Sequence, residues 1–69
     1  MTNSTINNVY KNIKNVRMAR NYTQLEFAEL TGLSVDYISL IENGKRTPSL
    51  KCLFKIAEKL EIDAYKLLI

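Results

Sequence analysis

Between Thr23 and Asn43 the chain reads TQLEFAELTGLSVDYISLIEN, and this stretch leaves few arrangements open. Apolar or small side chains recur every three to four residues on both sides of Gly32. Phe27, Ala28 and Thr31 precede it and Val35, Ile38 and Ile41 follow it, so two short amphipathic helices meet at the glycine. Thr23 and Glu26 form the capping-box pattern T-x-x-E, which starts the first of these helices at Gln24 and lets it run to about Thr31. Gly32 reads as the left-handed residue that ends it. Leu33 packs inward across the turn, and Ser34 caps the next helix, with Asp36 in its first turn suited to the positive end of the dipole. Helices this short that cross at a tight turn need a small side chain near the crossing. Ala28, one turn before the glycine, supplies it.

The rest of the chain reads as further helix. Met1 to Asn8 is rich in Asn, Thr and Ser, which compete with the backbone for hydrogen bonds, so residues 1–8 are expected to form a flexible N-terminal arm. Val9, Ile13 and Val16 share one face, joined by Ile6 if the first turn starts early, and predict a helix from about Val9 to Arg20 that Asn21 ends in a left-handed conformation. The helix from Ser34 stops at Asn43-Gly44, and Lys45-Arg46-Thr47-Pro48 follows as an exposed basic connector. Ser49 caps a fourth helix whose Leu50, Leu53, Ile56, Ala57 and Leu60 keep phase, while Lys51, Lys55, Glu58 and Lys59 take other faces, the three lysines as a solvated stripe. Asp63 is expected to cap a short terminal helix. There is no alternation of strand period and no internal repeat, so the fold class is all-α with five helices, residues 9–69 forming one domain.

Composition narrows the chemistry. A chain of 69 residues buries only ~60% of its unfolded surface, so a partner subunit would help it. Histidine is absent, which removes the commonest metal ligand and general base, and no Cys, Asp and Glu cluster has metal-site spacing. No enzyme activity, metal or cofactor is therefore expected. Cys52 is the single cysteine and sits in the apolar run LKCLFKIA, the place of a small buried side chain. MTNSTINN lacks the basic-then-apolar pattern of a secretory signal, and no apolar run approaches the ~18 residues that span a bilayer, so a cytoplasmic protein without a membrane partner is expected. A net charge of +3 is compatible with a polyanionic partner without demanding one.

The layout of two short helices around a glycine turn is that of a helix-turn-helix. The run TQLEFAELTGLSVDYISLIENGKRTPSL resembles the Cro/cI-type, or XRE-family, helix-turn-helix regulators, and the likeness extends from about Val9 to Leu68. Its most specific parts are Thr23-Gln24, Ala28, Gly32, Ile38, Ile41-Glu42-Asn43-Gly44 and Pro48-Ser49-Leu50, in the family's order and spacing. The resemblance implies a compact five-helix, lambda-repressor-like domain that binds double-stranded DNA in a sequence-specific way as a homodimer. The third helix would enter the major groove, which at about 12 Å wide accepts one α-helix.

Within that frame the outward positions of the third helix, Val35, Asp36, Tyr37 and Ser39, are the expected base contacts. Val35 can meet a thymine methyl, and Asp36 either accepts from cytosine N4 or only stabilises the helix start. Thr23 and Gln24 at the start of the second helix, with Asn43, Lys45 and Arg46 beyond the third, are the expected phosphate contacts. The resemblance also implies an Arg17–Glu42 ion pair as a scaffold. The C-terminal helix cannot bury all of Tyr65, Leu68 and Ile69 in its own domain, so these are the expected dimer interface. A palindromic operator is expected with it. A phage- or plasmid-type repressor and a restriction-modification controller both fit, and no effector domain is expected, since the sequence stops about where the helical pattern stops. The alternative is an antitoxin-like module that uses the same fold to hold a protein partner.

Overall fold

The computed structural model describes the backbone of residues 4–69 and the side chains of residues 9–69. Its elements are α1 (Ser4–Ala19), α2 (Gln24–Thr31), α3 (Val35–Glu42), α4 (Leu50–Leu60) and α5 (Tyr65–Leu68), with no strand among the described residues. The core is drawn from all five helices. Ile13 of α1, Phe27 of α2, Ile38 and Ile41 of α3, Ile56 and Leu60 of α4 and Leu67 of α5 are fully buried. The Phe27 ring leans on Tyr22 with centroids 6.5 Å apart. Ala28 is buried at the α2–α3 crossing, and Thr31 is buried with its hydroxyl donating to the Phe27 carbonyl at 2.8 Å, so no polar group is stranded there.

The starts of α2, α3 and α4 follow from their caps. Thr23 Oγ1 accepts from the Glu26 amide at 3.0 Å while a Glu26 carboxylate oxygen accepts from the Thr23 amide at 2.8 Å, the full reciprocal box. Ser34 and Ser49 accept from the amides of Tyr37 and Cys52, each at 3.0 Å.

The ends of α1 to α4 share one device, a left-handed residue just past the last turn with paired amide returns. At Gly44 the returns are Gly44 N–H to the Ile41 carbonyl at 3.0 Å and Lys45 N–H to the Leu40 carbonyl at 2.9 Å. Asn21, Gly32 and Glu61 occupy the equivalent position in the other three, with φ of 60°, 75° and 58°. Glu61 was not expected in this role.

Three expectations need correction. α1 begins at Ser4, not Val9, and ends at Ala19, not Arg20, so residues 4–8 of the expected arm are helical; residues 1–3 lie outside the described residues. Once a helix is nucleated each added residue gains a hydrogen bond, and the small propensity penalty of Asn and Thr does not stop it. Asp63 does not cap α5. Ala64 holds the N-cap position with no side-chain bond, and the single turn is secured instead by Asn12 Nδ2 of α1, which donates to the Leu67 carbonyl at 3.1 Å. Leu50, in phase with the α4 core, is nevertheless exposed, because a first-turn side chain points back past the helix start.

Candidate nucleic-acid interface

α3 is held from behind and open in front. Ile38 and Ile41 are fully buried, while Val35 and Asp36 are exposed and Ser39 is partly so. Val35, Ser39 and Asn43 follow at four-residue steps and share one face, and Asn43 Nδ2 approaches Ser39 Oγ at 3.5 Å along it. Leu40, one turn after Asp36, is also partly exposed beside this face. The sequence reading left Leu40 unassigned, because an apolar side chain in an apolar helix carries no outward signal.

Tyr37 is placed differently from expectation. It is half-buried against the core, with the Arg46 guanidinium carbon 5.3 Å from its ring centroid. Burial pushes the Tyr37 hydroxyl pKa up, and hydrogen bonding to the Cys52 thiol adds to this. Burial likewise raises the Cys52 thiol, so both groups stay protonated and uncharged at neutral pH. Tyr37 therefore faces the start of α4 and the basic connector. The cause is angular: two positions after Val35 on an eight-residue helix lies the side turned toward α4.

The frame behind α3 is a charged network. Arg17 Nε and Nη2 donate to the two Glu42 carboxylate oxygens at 2.8 and 3.1 Å, a bidentate pair, with side-chain exposures of 11% and 1%. Arg17 Nη1 donates to the Tyr22 carbonyl at 2.7 Å, and Gln24 Nε2 donates to Glu42 Oε1 at 3.0 Å. One carboxylate at the end of α3 thus ties together α1, the α1–α2 turn and the first residue of α2. Gln24 spends an amide proton on this network, and Thr23 Oγ1 serves the cap as an acceptor. The α2 terminus still directs the amides of Gln24 and Leu25 outward ahead of the first intrahelical bond, from Phe27 N–H to the Thr23 carbonyl.

At the other end of α3, Lys45 and Arg46 are exposed, and their backbone amides both return to the Leu40 carbonyl at 2.9 and 3.2 Å. The connector is therefore fastened to the helix it follows. Gly44 lies so close over the Tyr10 ring that a Cβ there would meet it at 3.0 Å. Sequence reading missed Tyr10, and also Arg20, whose Nη1 donates to the Leu60 carbonyl at 2.6 Å and joins the ends of α1 and α4. Neither contact follows a local spacing rule.

Tyr65 and Ile69 are exposed, while Leu68 is half-buried and lines an apolar cavity of about 230 Å³ with Val9, Tyr10, Pro48, Leu50 and Leu53. Among the described residues no group of three or more His, Cys, Asp and Glu could hold a metal, and no helix is long and apolar enough to cross a membrane.

The profile of a family described as Helix-turn-helix matches residues 13–67. The chain is 41% identical over 51 residues to the ImmF control region 10 kDa protein of Bacillus phage phi105, covering 74% of this chain and 57% of that one. It is 38% identical over 53 residues to Antitoxin PezA of Streptococcus pneumoniae serotype 4, covering 77% of this chain and 34% of that one. The chain thus spans less than two thirds of the length of these curated relatives. Among solved structures, the restriction-modification controller protein C.AhdI from Aeromonas hydrophila matches with a TM-score of 0.83 and 29% identity, covering 90% of this chain and 94% of that one.

Proposed function

The chain belongs to the Helix-turn-helix family, and from that premise we propose that it is a transcriptional regulator that binds double-stranded DNA in the cytoplasm as a homodimer on a palindromic operator. It acts by binding and not as an enzyme. The observation that carries this reading is the mounting of α3. Its open face offers Val35, Asp36 and Ser39, its back is locked by Ile38, Ile41 and Glu42, and it is flanked by the α2 terminus on one side and Lys45-Arg46 on the other. A helix presented in this way fits the major groove, with phosphate contacts at both ends to hold it in register.

Val35, Asp36 and Ser39 read base edges. The amides of Gln24 and its neighbours, with Asn43, Lys45 and Arg46, hold phosphates, and Tyr65, Leu68 and Ile69 form the dimer contact. The likeness to the phage control-region protein and the controller protein supports a small repressor or restriction-modification controller. The likeness to Antitoxin PezA supports a second reading, a module that holds a protein partner on this fold.

The test is a binding titration on duplex fragments selected by the purified protein, repeated over a range of salt. The Lys45→Ala/Arg46→Ala double variant should bind more weakly across all sequences, with the slope of log affinity against log salt flattened by about 1 per lost contact. Failure of the native protein to select any duplex would overturn the DNA reading in favour of the protein-binding one, and unchanged affinity in the double variant would remove the connector from the interface.

A further inference from the structure

We infer that Tyr37 is a positioning residue, a platform that holds the Arg46 guanidinium in place to grip a DNA phosphate beside α3; this rests on the DNA-binding reading above. The starting observation is that Tyr37, in the leading half of α3, is half-buried where its neighbours Val35 and Asp36 are exposed. Its ring lies between the start of α4 and the connector, with the Arg46 guanidinium carbon over its face at 5.3 Å. That distance is inside the ~6 Å reach at which a cation is drawn to the electron-rich face of an aromatic ring.

The platform is itself fixed. The Tyr37 amide donates to the Ser34 cap at 3.0 Å, and its ring packs on the core. The Arg46 backbone is fixed as well, through its amide bond to the Leu40 carbonyl at 3.2 Å. Both ends of the pair are thus tied to α3, the helix that the connector follows.

Stacking and phosphate binding use different parts of a guanidinium. The aromatic ring meets its flat face, while its N–H donors radiate in the plane and stay available for the paired hydrogen bonds that a phosphate accepts. Arg46 is exposed, so those donors are open to a ligand. A free arginine in a loop loses most of its rotamer freedom on binding. One already resting on a ring loses less, and the difference appears as affinity. Lys45, its neighbour, has no such platform among the contacts seen and would act as a point charge.

The experiment combines a readout without DNA and one with it. In the native protein the Arg46 side-chain protons should show upfield ring-current shifts by NMR, retained in Tyr37→Phe and lost in Tyr37→Leu. On a selected duplex, Tyr37→Phe should bind like the native protein and Tyr37→Leu about two- to five-fold more weakly, the range of an exposed cation–aromatic contact, with unchanged base preference. In the Arg46→Ala background the Tyr37→Leu effect should vanish, since the cation it positions is gone. This Arg46 change lies in an exposed connector and leaves the core intact.

Equal losses from Tyr37→Leu in both backgrounds, or no ring-current shift in the native protein, would overturn the inference. So would a base preference that changes at one operator position, which would make Tyr37 a base reader. Intact ring-current shifts in a protein that binds no duplex would instead mark failure of the DNA-binding reading, and the phosphate role would fall with it.

Discussion

With 1% of its side chain exposed, Glu42 would be a costly residue on its own, since an isolated buried carboxylate is far less stable than a solvated one. Arg17 offsets this with two charge-assisted bonds and Gln24 with a third, and no buried side-chain nitrogen or oxygen among the described residues lacks a partner. The pair contributes orientation more than net stability, because desolvation consumes much of the Coulombic gain. Breaking it is another matter. Glu42→Ala should destabilise the domain by about 3 kcal/mol, roughly 12 to 24 °C in Tm at this size, because Arg17 is left nearly buried and uncompensated. Replacing both partners, Arg17→Met with Glu42→Leu, should recover most of that loss while loosening the tie between α2 and α3. Urea unfolding midpoints compare the three proteins, and a single-variant loss below about 1 kcal/mol would contradict this account.

The helices are short, α2 and α3 having eight residues each, so their ends are a large share of their length and cap chemistry decides their stability. Glycine serves the left-handed end of α2 and α3 and asparagine that of α1, all residues that tolerate the conformation. α4 ends on Glu61 at φ 58°, where a side chain strains against the backbone. Glu61→Gly should therefore raise stability by up to about 1 kcal/mol, the relief of strain exceeding the extra entropy of glycine in the unfolded chain.

Gly44→Ala tests the same device in reverse. It adds left-handed strain and a 3.0 Å approach to the Tyr10 ring, and should cost about 1 to 3 kcal/mol. Thermal unfolding of both variants gives the signs. If both move stability in the same direction, backbone conformation does not govern these ends.

A domain of 69 residues has little core to spare, and this one leaves Leu50, Tyr65 and Ile69 at 60%, 66% and 62% exposed, with Leu50 and Leu68 lining an apolar cavity. Apolar surface of that kind on a small body favours self-association, and a two-fold contact covers it on both copies at once. The body measures 34 × 23 × 22 Å, so two copies are of the size needed to set their α3 helices the roughly 34 Å apart that separates successive major grooves on one face of DNA. The native protein should sediment at twice the 8.0 kDa chain mass at micromolar concentration, and its Tm should rise with concentration. Tyr65→Glu, on an exposed side chain, should shift it to monomer and weaken binding to a full palindrome while leaving a half-site bound. A native monomer at that concentration would defeat the proposed interface.

What the sequence determined by itself was everything governed by neighbours three or four residues away. The T-x-x-E box, the serine caps, the left-handed Asn21 and Gly32 and the inward phase of Ile38 and Ile41 all follow from helical periodicity and local hydrogen bonding, and they were legible because that physics acts within one turn. The Arg17–Glu42 pair was reached through family resemblance and not through spacing. The tertiary structure alone decided the rest. Whether Tyr37 faces a groove or α4, whether Gln24 is free or bonded to Glu42, and whether Leu50 reaches the core depend on the angles at which helices cross. Those angles come from side chains distant in sequence packing to a common density, so no local pattern encodes them. Glu61 makes the same point from the opposite side. Its own preference opposes a left-handed turn, and the chain adopts one there because Leu60 and Leu67 must both enter the same core.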